Sequence, residues 1–239
     1  VRPIGFYGGT TVLPQLVTTI TAVGANIPAG SGSGLLQAGD YMLLFESPSD
    51  TNSMGVATPA AGFTVMGSSD QMSHSFAGDP REFCRVGQWW KKLAAGDITG
   101  GNTAAAIACY GVGASGTSRI GMIFRVPGTT TCANSTKLLA VTDGTNDLNQ
   151  TVEHSLVPTG RSYVGLTIIR MSASYITFTG DGTVVRNPLL SGTTTTSNLG
   201  EHQVRWRAGV GPKANTNSFV SPNGTIWNRL DTMIVTFIP

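Results

Sequence analysis

Short β-type runs recur from one end of this chain to the other, and that pattern restricts its fold more than any other feature. They read "LVTTITAV" (16–23), "YMLLFES" (41–47), "GFTVMGS" (62–68), "EFCRVGQWWKKL" (82–93), "TAAAIACYGV" (103–112), "RIGMIFRV" (119–126), "KLLAV" (137–141), "TVEHSLV" (151–157), "YVGLTIIRM" (163–171), "SYITFTG" (174–180), "HQVRWRAGV" (202–210) and "TMIVTFI" (232–238). Clusters of Gly, Pro, Asn, Asp and Ser separate them. Alternating or continuous apolar runs of this length are strands, and no window holds the 3.6-residue period of an amphipathic helix. Turn signals about every 8 to 20 residues predict an all-β protein: a single-domain β-sandwich of jelly-roll or concanavalin-like type, with about a dozen strands and little or no helix.

The strongest local signal is the pair 163–171 and 174–180 followed by "TGDGT", in which Asp181-Gly182 offers the positive φ of a tight turn. It predicts a run of hairpins. "AGSGSG" (29–34) and "SGTTTTSN" (191–198) are linker-like, but they are short and sit inside the pattern, so they read as surface loops. No internal repeat is visible. The whole of 1–239 reads as one domain, with 1–15 as an extended N-terminal arm.

Only 12 % of residues are charged, while 40 % are hydrophobic and 31 are glycine, so the surface must be built from hydroxyls, amides and backbone. The formal charge is +2, from 15 basic and 13 acidic residues, and the only adjacent basic pair in the runs above is Lys91-Lys92. That distribution lacks the basic stripe of a nucleic-acid binder. No apolar stretch reaches about 18 residues, and "VRPIGFYGGTTVLPQ" lacks a charged region followed by an apolar core. The expectation is a soluble protein without a secretion signal, with neither membrane nor nucleic acid as partner. Cys84, Cys109 and Cys132 have no metal-ligand spacing and read as free, mostly buried thiols suited to a reducing cytoplasm.

The segment "QWWKKLAAGD" (88–97) places two tryptophans beside two lysines. As a helix, 83–93 would carry Gly87 in its middle; the Phe, Val and Trp content favours a strand. Adjacent strand residues point to opposite faces, so only one tryptophan could join a stacking platform for single-stranded nucleic acid. A membrane-surface helix would need a far more basic polar face. The expectation is the end of a core strand in which Trp90 anchors the sandwich, Trp89 caps the opposite face or a subunit contact, and the lysines reach solvent.

A wider order of motifs then stands out. "AGDYMLL" (38–44) is followed by "TPAAGFTVM" (58–66), "QWWKKLAAGD" (88–97) and "AAAIACYGV" (104–112). This order resembles a family of tailed-bacteriophage virion proteins. Its elements are Gly-Asp before a hydrophobic strand, Pro-x-Gly-Trp-Thr opening the next, an aromatic-x-Lys-x-Ala-x-x-Asp strand end, and an Ala-rich strand closing on Tyr. Gly39 and Asp40 match the first element. Pro59, Gly62, Phe63 and Thr64 match the second, with Phe for Trp and one extra Ala. Trp90, Lys92, Ala94 and Asp97 match the third. The match covers 35–112, under half the chain. Residues 161–185 are also similar to the paired strands of concanavalin-like and laminin-G-like sandwiches.

The resemblance implies a virion structural protein on the outer surface of the particle, made in the host cytoplasm. The reading it favours is a capsid decoration (cement) protein that binds the assembled shell as a homo-oligomer, a trimer by analogy with its class. The alternative is a tail-fibre or baseplate receptor-binding module contacting host surface glycans, against which the chain shows no trimerising coiled coil. Partners would be the major capsid protein or tail proteins. The aromatic residues Phe6, Tyr7, Trp89, Tyr110, Trp206 and Trp227 are the candidate partner contacts, with Asn223 beside them under the glycan reading.

Enzymatic readings find little support. "GVGASG" (111–116) satisfies GxGxxG, but the fingerprint requires a helix next, whereas "TSRIGMIFRVPG" reads as a strand, and no acidic residue follows about 20 positions on. "DGTNDLN" (143–149) spaces Asp143, Thr145, Asp147 and Asn149 as oxygen ligands for calcium, yet Leu148 and His154 stand where an EF-hand needs Gly and Glu, so an Asx-rich turn is preferred. His74, His154 and His202 lie in unrelated contexts with no GxSxG elbow, and Glu46, Glu82, Glu153 and Glu201 form no readable acid pair. Sequons at Asn134, Asn149 and Asn223 are expected by chance in a Thr-rich chain. The expectation is a non-enzyme with no catalytic residues, cofactor or metal.

Overall fold

A computed structural model of the chain describes residues 12–24, 26–47, 59–66, 87–109, 117–142, 148–171, 179–180, 183–188, 201–221 and 228–239. These residues form fifteen strands and one 3-10 turn, Ala95–Asp97. The first sheet has the order β1 (Gln15–Val23), β7 (Ser118–Arg125), β2 (Tyr41–Ser47), β4 (Gly87–Lys92) and β3 (Thr64–Val65). The second has the order β12 (Thr183–Pro188), β13 (Glu201–Val210), β10 (Ser162–Met171), β15 (Asn228–Ile238) and β8 (Thr131–Thr142). A third, three-stranded sheet is β11 (Thr179–Gly180), β14 (Lys213–Ser221) and β9 (Leu148–Val157), and β5 (Ile98–Thr99) with β6 (Asn102–Thr103) makes a small ribbon. Neighbouring strands in all four sheets are antiparallel.

The period-2 pattern places the core. Tyr41, Leu43 and Phe45 of β2 and Ile120, Met122 and Phe124 of β7 face Val164, Leu166 and Ile168 of β10, Val204 of β13 and Met233, Val235 and Phe237 of β15. The first two sheets are therefore packed face to face over an apolar layer, the β-sandwich expected from the strand pattern. Aromatic edges tie it together, with Tyr41 against Phe237 at 5.0 Å and Phe124 against Trp206 at 5.3 Å between ring centroids.

The outer face of the first sheet is not left to water. Ile20, Met42, Leu44, Trp89 and Ile123 on that face pack against Ile27, Leu36, Phe63, Leu93 and Cys109, which belong to the segments around 24–40, 59–66 and 93–109. β2 is consequently buried at every position. The covering segments are bound to each other through the Ile27–Ile107 bridge, Gly30 N–H to Thr103 O (2.8 Å), Thr103 N–H to Ser31 O (2.7 Å) and Leu36 N–H to Gly101 O (2.9 Å). Their closest approach needs glycine: Gly101 has φ +75°, and a Cβ there would lie 2.2 Å from the Gly34 oxygen. "AGSGSG" is thus a surface loop, as its composition suggests, and it roofs a sheet.

Several expectations are corrected. The run 163–171 does not form a hairpin with 174–180: β10 is flanked by β13 and β15 along its length, and β11 pairs with β14 instead. Long-range pairing outcompetes the local turn signal around Asp181-Gly182, which lies outside the described residues. The stretch from 103 is not a strand through Cys109; after β6 it is irregular apart from the bridge at Ile107, because its carbonyl partners lie in the covering loop. β12 and β14 lie outside the runs read from the sequence, because the Thr-Val-Val of "TVVRNP" is cut short by Arg-Asn-Pro and "KANTNSFVS" carries few β-forming residues.

Candidate functional site

The first three motif elements of the resemblance meet on adjacent strands. Tyr41, next to Asp40, is opposite Lys92, and Thr64 is opposite Trp90, so β2, β4 and β3 bring them to one corner of the first sheet. The fourth element joins through Ala104 N–H to Asp97 O (2.9 Å).

The strand alternation explains "WWKK". Trp89 and Lys91 project onto the covered face, and Trp90 and Lys92 onto the face toward the second sheet. The Lys91 ammonium donates to Asp97 Oδ1 (2.7 Å) and Ala61 O (2.9 Å) and lies 5.8 Å from the Phe63 ring centroid. Gly62, at φ +78°, gives it room: a Cβ there would meet Lys91 Cε at 2.9 Å. Asp97 Oδ2 accepts from Ala94 N–H (2.8 Å), closing the 3-10 turn. Burial pushes the Asp97 carboxyl up, but the Lys91 hydrogen bond, the Ala94 amide and the Lys91 charge together hold it below the usual value. Lys92 donates to Thr129 O (2.6 Å) and sits 5.4 Å from the Tyr41 ring centroid, closing one side of the sandwich.

Asp40 is the other anchor of the corner. It is 1 % exposed, accepts two bonds from Arg125 (2.8 and 2.9 Å) and one from Gln37 N–H (2.9 Å), and its backbone is tied to Leu93 on β4's exit (2.8 Å). The Arg125 guanidinium also donates to Leu35 O (3.0 Å), and its hydrogen bonding to Asp40 raises its pKa further. Each of these charged groups is held by a partner within the chain. Chemically the corner is a fastening between strands and covering loops.

A second charged cluster lies at the other end of the covered face. Glu46 on β2 and Arg119 on β7 are direct cross-strand neighbours, both fully buried and joined as an ion pair. Glu46 also accepts from Cys109 N–H (3.1 Å), and Arg119 donates to Gly24 O and Thr117 O. Burial and the Glu46 charge push the Cys109 thiol up to about 12, and burial does the same for Cys132, so both thiols stay protonated and inert. Sequence reasoning did not find this cluster. Its signal was a glutamate in the largely apolar "YMLLFES" and an arginine opening "RIGMIFRV", two distant runs whose pairing brings them together.

The candidate partner contacts divide. Trp89 packs on the face opposite Trp90, one of its two expected places; the other, a subunit contact, is corrected, because it is 0 % exposed and the covering loops bury it within its own chain. Trp90, expected to be the buried anchor, is only half-buried against the sandwich core. Trp206 is likewise half-buried there, stacked edge-on with Phe124. The lysines of 91 and 92 do not reach freely into solvent but bind backbone carbonyls. Phe6, Tyr7, Tyr110, Asn223 and Trp227 lie outside the described residues, as do 143–147 of the calcium-like loop, His74, Glu82, Cys84 and "GVGASG". The strand expected after "GVGASG" is present as β7, so no helix N-terminus begins at Ser118–Arg125 to receive a dinucleotide phosphate. His154 and His202 lie on strands β9 and β13.

Among the described residues no cluster of His, Cys, Asp and Glu has metal-holding geometry, and no helix is long and apolar enough to cross a membrane. No protein-family model, curated protein or solved structure matches the chain.

Proposed function

We propose that this chain is a bacteriophage virion structural protein, a capsid decoration protein that binds the assembled shell and acts by adhesion. The observation that carries the reading is the use made of the motif residues. Gly39, Asp40, Gly62, Phe63, Trp90, Lys92, Ala94 and Asp97 converge on one corner, where Trp90 and Lys92 pack on the face toward the second sheet and the others join strands to covering loops. A resemblance concentrated in such residues supports a common scaffold, and it suits a protein whose work is to remain folded and attached. The scarcity of charge, 12 % of residues, supports contact through hydroxyls, amides and apolar loops. The finer fold type, jelly-roll or concanavalin-like, belongs to the same proposal.

Quantitative mass spectrometry of purified particles tests it. A decoration protein is present in hundreds of copies per particle and stays with the heads when tails are removed. A small multiple of three or six, found with tails, would favour the receptor-binding module instead. Presence in the infected-cell lysate but never in particles would overturn both.

A further inference from the structure

Two segments that roof the first sheet, 26–36 and 94–109, are firmly bonded to each other but thinly buried. Besides the backbone bonds given above, Gly34 N–H donates to Asn102 Oδ1 (2.8 Å), Ser31 N–H donates to the Thr103 hydroxyl (3.1 Å), and that hydroxyl donates to Pro28 O (3.1 Å). Gly101 lies directly against Gly34. Each segment holds the other in place. Yet from 94 to 108 only Thr103 is buried, and from 26 to 36 only Ile27, Gly32 and Leu36 are.

The sandwich does not rely on these two segments for its pairing. The ladders of the first sheet run between its own strands. The third part of the cover, 59–66, stays with that sheet through the β3–β4 pairing and Met66 N–H to Gln88 O (2.8 Å). Ties from the two segments to the sheet include Asp97 to Lys91, Leu35 O to Arg125, and Cys109 N–H to Glu46. Beneath the cover lie Ile20, Met42, Leu44, Trp89 and Ile123. Regions with few buried contacts and solvent-exposed hydrogen bonds open separately from the core beside them.

We propose that 26–36 and 94–109 form one lid, which opens as a unit while the sandwich stays folded and uncovers the apolar outer face of the first sheet. Its cooperativity follows from the bonding pattern. Lifting Ile27 and Leu36 off the sheet also frees Ile107 and Cys109, because the segments are joined along their length. Away from the sheet the pair has no third layer to pack on, so opening also releases the bonds between its members. The lid is independent of the virion reading, since it belongs to the isolated chain.

Thiol labelling of the native protein tests it, because Cys109 is buried under the lid and Cys132 in the sandwich core. With iodoacetamide below the unfolding transition, and modification located by peptide mass mapping, Cys109 should react at least about 100-fold faster than Cys132. Gly101→Ala, at the Gly34 contact, should raise the Cys109 rate about tenfold and leave Cys132 unchanged. Equal rates at the two thiols would refute a separate opening, and a Cys109 rate indifferent to Gly101→Ala would refute a single unit. Hydrogen exchange gives a check that needs no variant. The amides of Ile27, Gly30, Leu36, Thr103 and Ile107 should share one opening free energy, lower than that of β10 and β15. Scattered values, or values equal to those of the core strands, would overturn the lid.

Discussion

The two faces of the first sheet bury comparable apolar side chains against different materials. Toward the second sheet, Leu43, Phe45, Met122 and Phe124 meet the side chains of other strands, and the fully buried polar residues on that face, Ser47, Gln88 and Ser118, are uncharged. On the covered face, Met42, Leu44, Trp89 and Ile123 meet irregular backbone, and that layer is edged by ion pairs: Glu46–Arg119 at one end, Lys91–Asp97 at the other. A partner sheet satisfies its own amides and carbonyls, so its contact surface needs no charged groups. A loop cover brings unpaired backbone groups, which need carboxylates, guanidinium groups, ammonium groups and cross-loop hydrogen bonds to be buried without penalty.

Truncating one tryptophan on each face gives the sharpest contrast. Trp89→Ala should destabilise by about 3–5 kcal/mol, because the side chain is completely enclosed, whereas half-buried Trp90→Ala should cost about 1–2 kcal/mol. Denaturant unfolding measures both; equal losses would mean that the cover contributes less than its packing indicates.

Glu46→Gln should cost about 3 kcal/mol, since it leaves the buried Arg119 charge without a carboxylate, while Glu46→Leu with Arg119→Met should cost distinctly less. If the double variant were as damaged as the single one, the pair would matter for its backbone contacts rather than its charge balance.

Gly101→Ala should cost about 1–2 kcal/mol and act on the cover alone, through the positive φ and the approach to Gly34. Hydrogen exchange should then quicken in 26–40 and 93–109 while β10 and β15 keep their protection.

Asp97→Asn should have the smallest effect, about 0.5–1 kcal/mol at neutral pH. Because the folded carboxyl titrates below its unfolded value, its stabilisation is present above the usual carboxylate range and is lost as pH falls through the folded value. The gap between native protein and variant should therefore close in acid, and a pH-independent gap would assign the effect to packing.

Legibility in the sequence follows the same division. Continuous apolar runs bounded by turn residues, such as 41–47, 119–126 and 163–171, are readable to within a residue or two, because a β-rich run of that length marks a strand buried on both faces. β14 was not readable: "KANTNSFVS" lacks the pattern, and its pairing with β9 exists only once both are brought together. The corner at Lys91 was half legible. Its motifs marked a fold element, but the partners of Lys91 and Lys92, carbonyls of Ala61 and Thr129, carry no side-chain signal.

The sequence by itself determined the all-β class, most of the long strands and the opposite orientations of Trp89 and Trp90, since these depend on local alternation. Only the tertiary structure decided which of the two is enclosed, that a glycine-rich loop roofs one sheet, and that Glu46 meets Arg119. Burial depends on what covers a face, and the covering segments are joined by backbone hydrogen bonds, which every residue but proline can donate and which therefore leave little trace in the sequence.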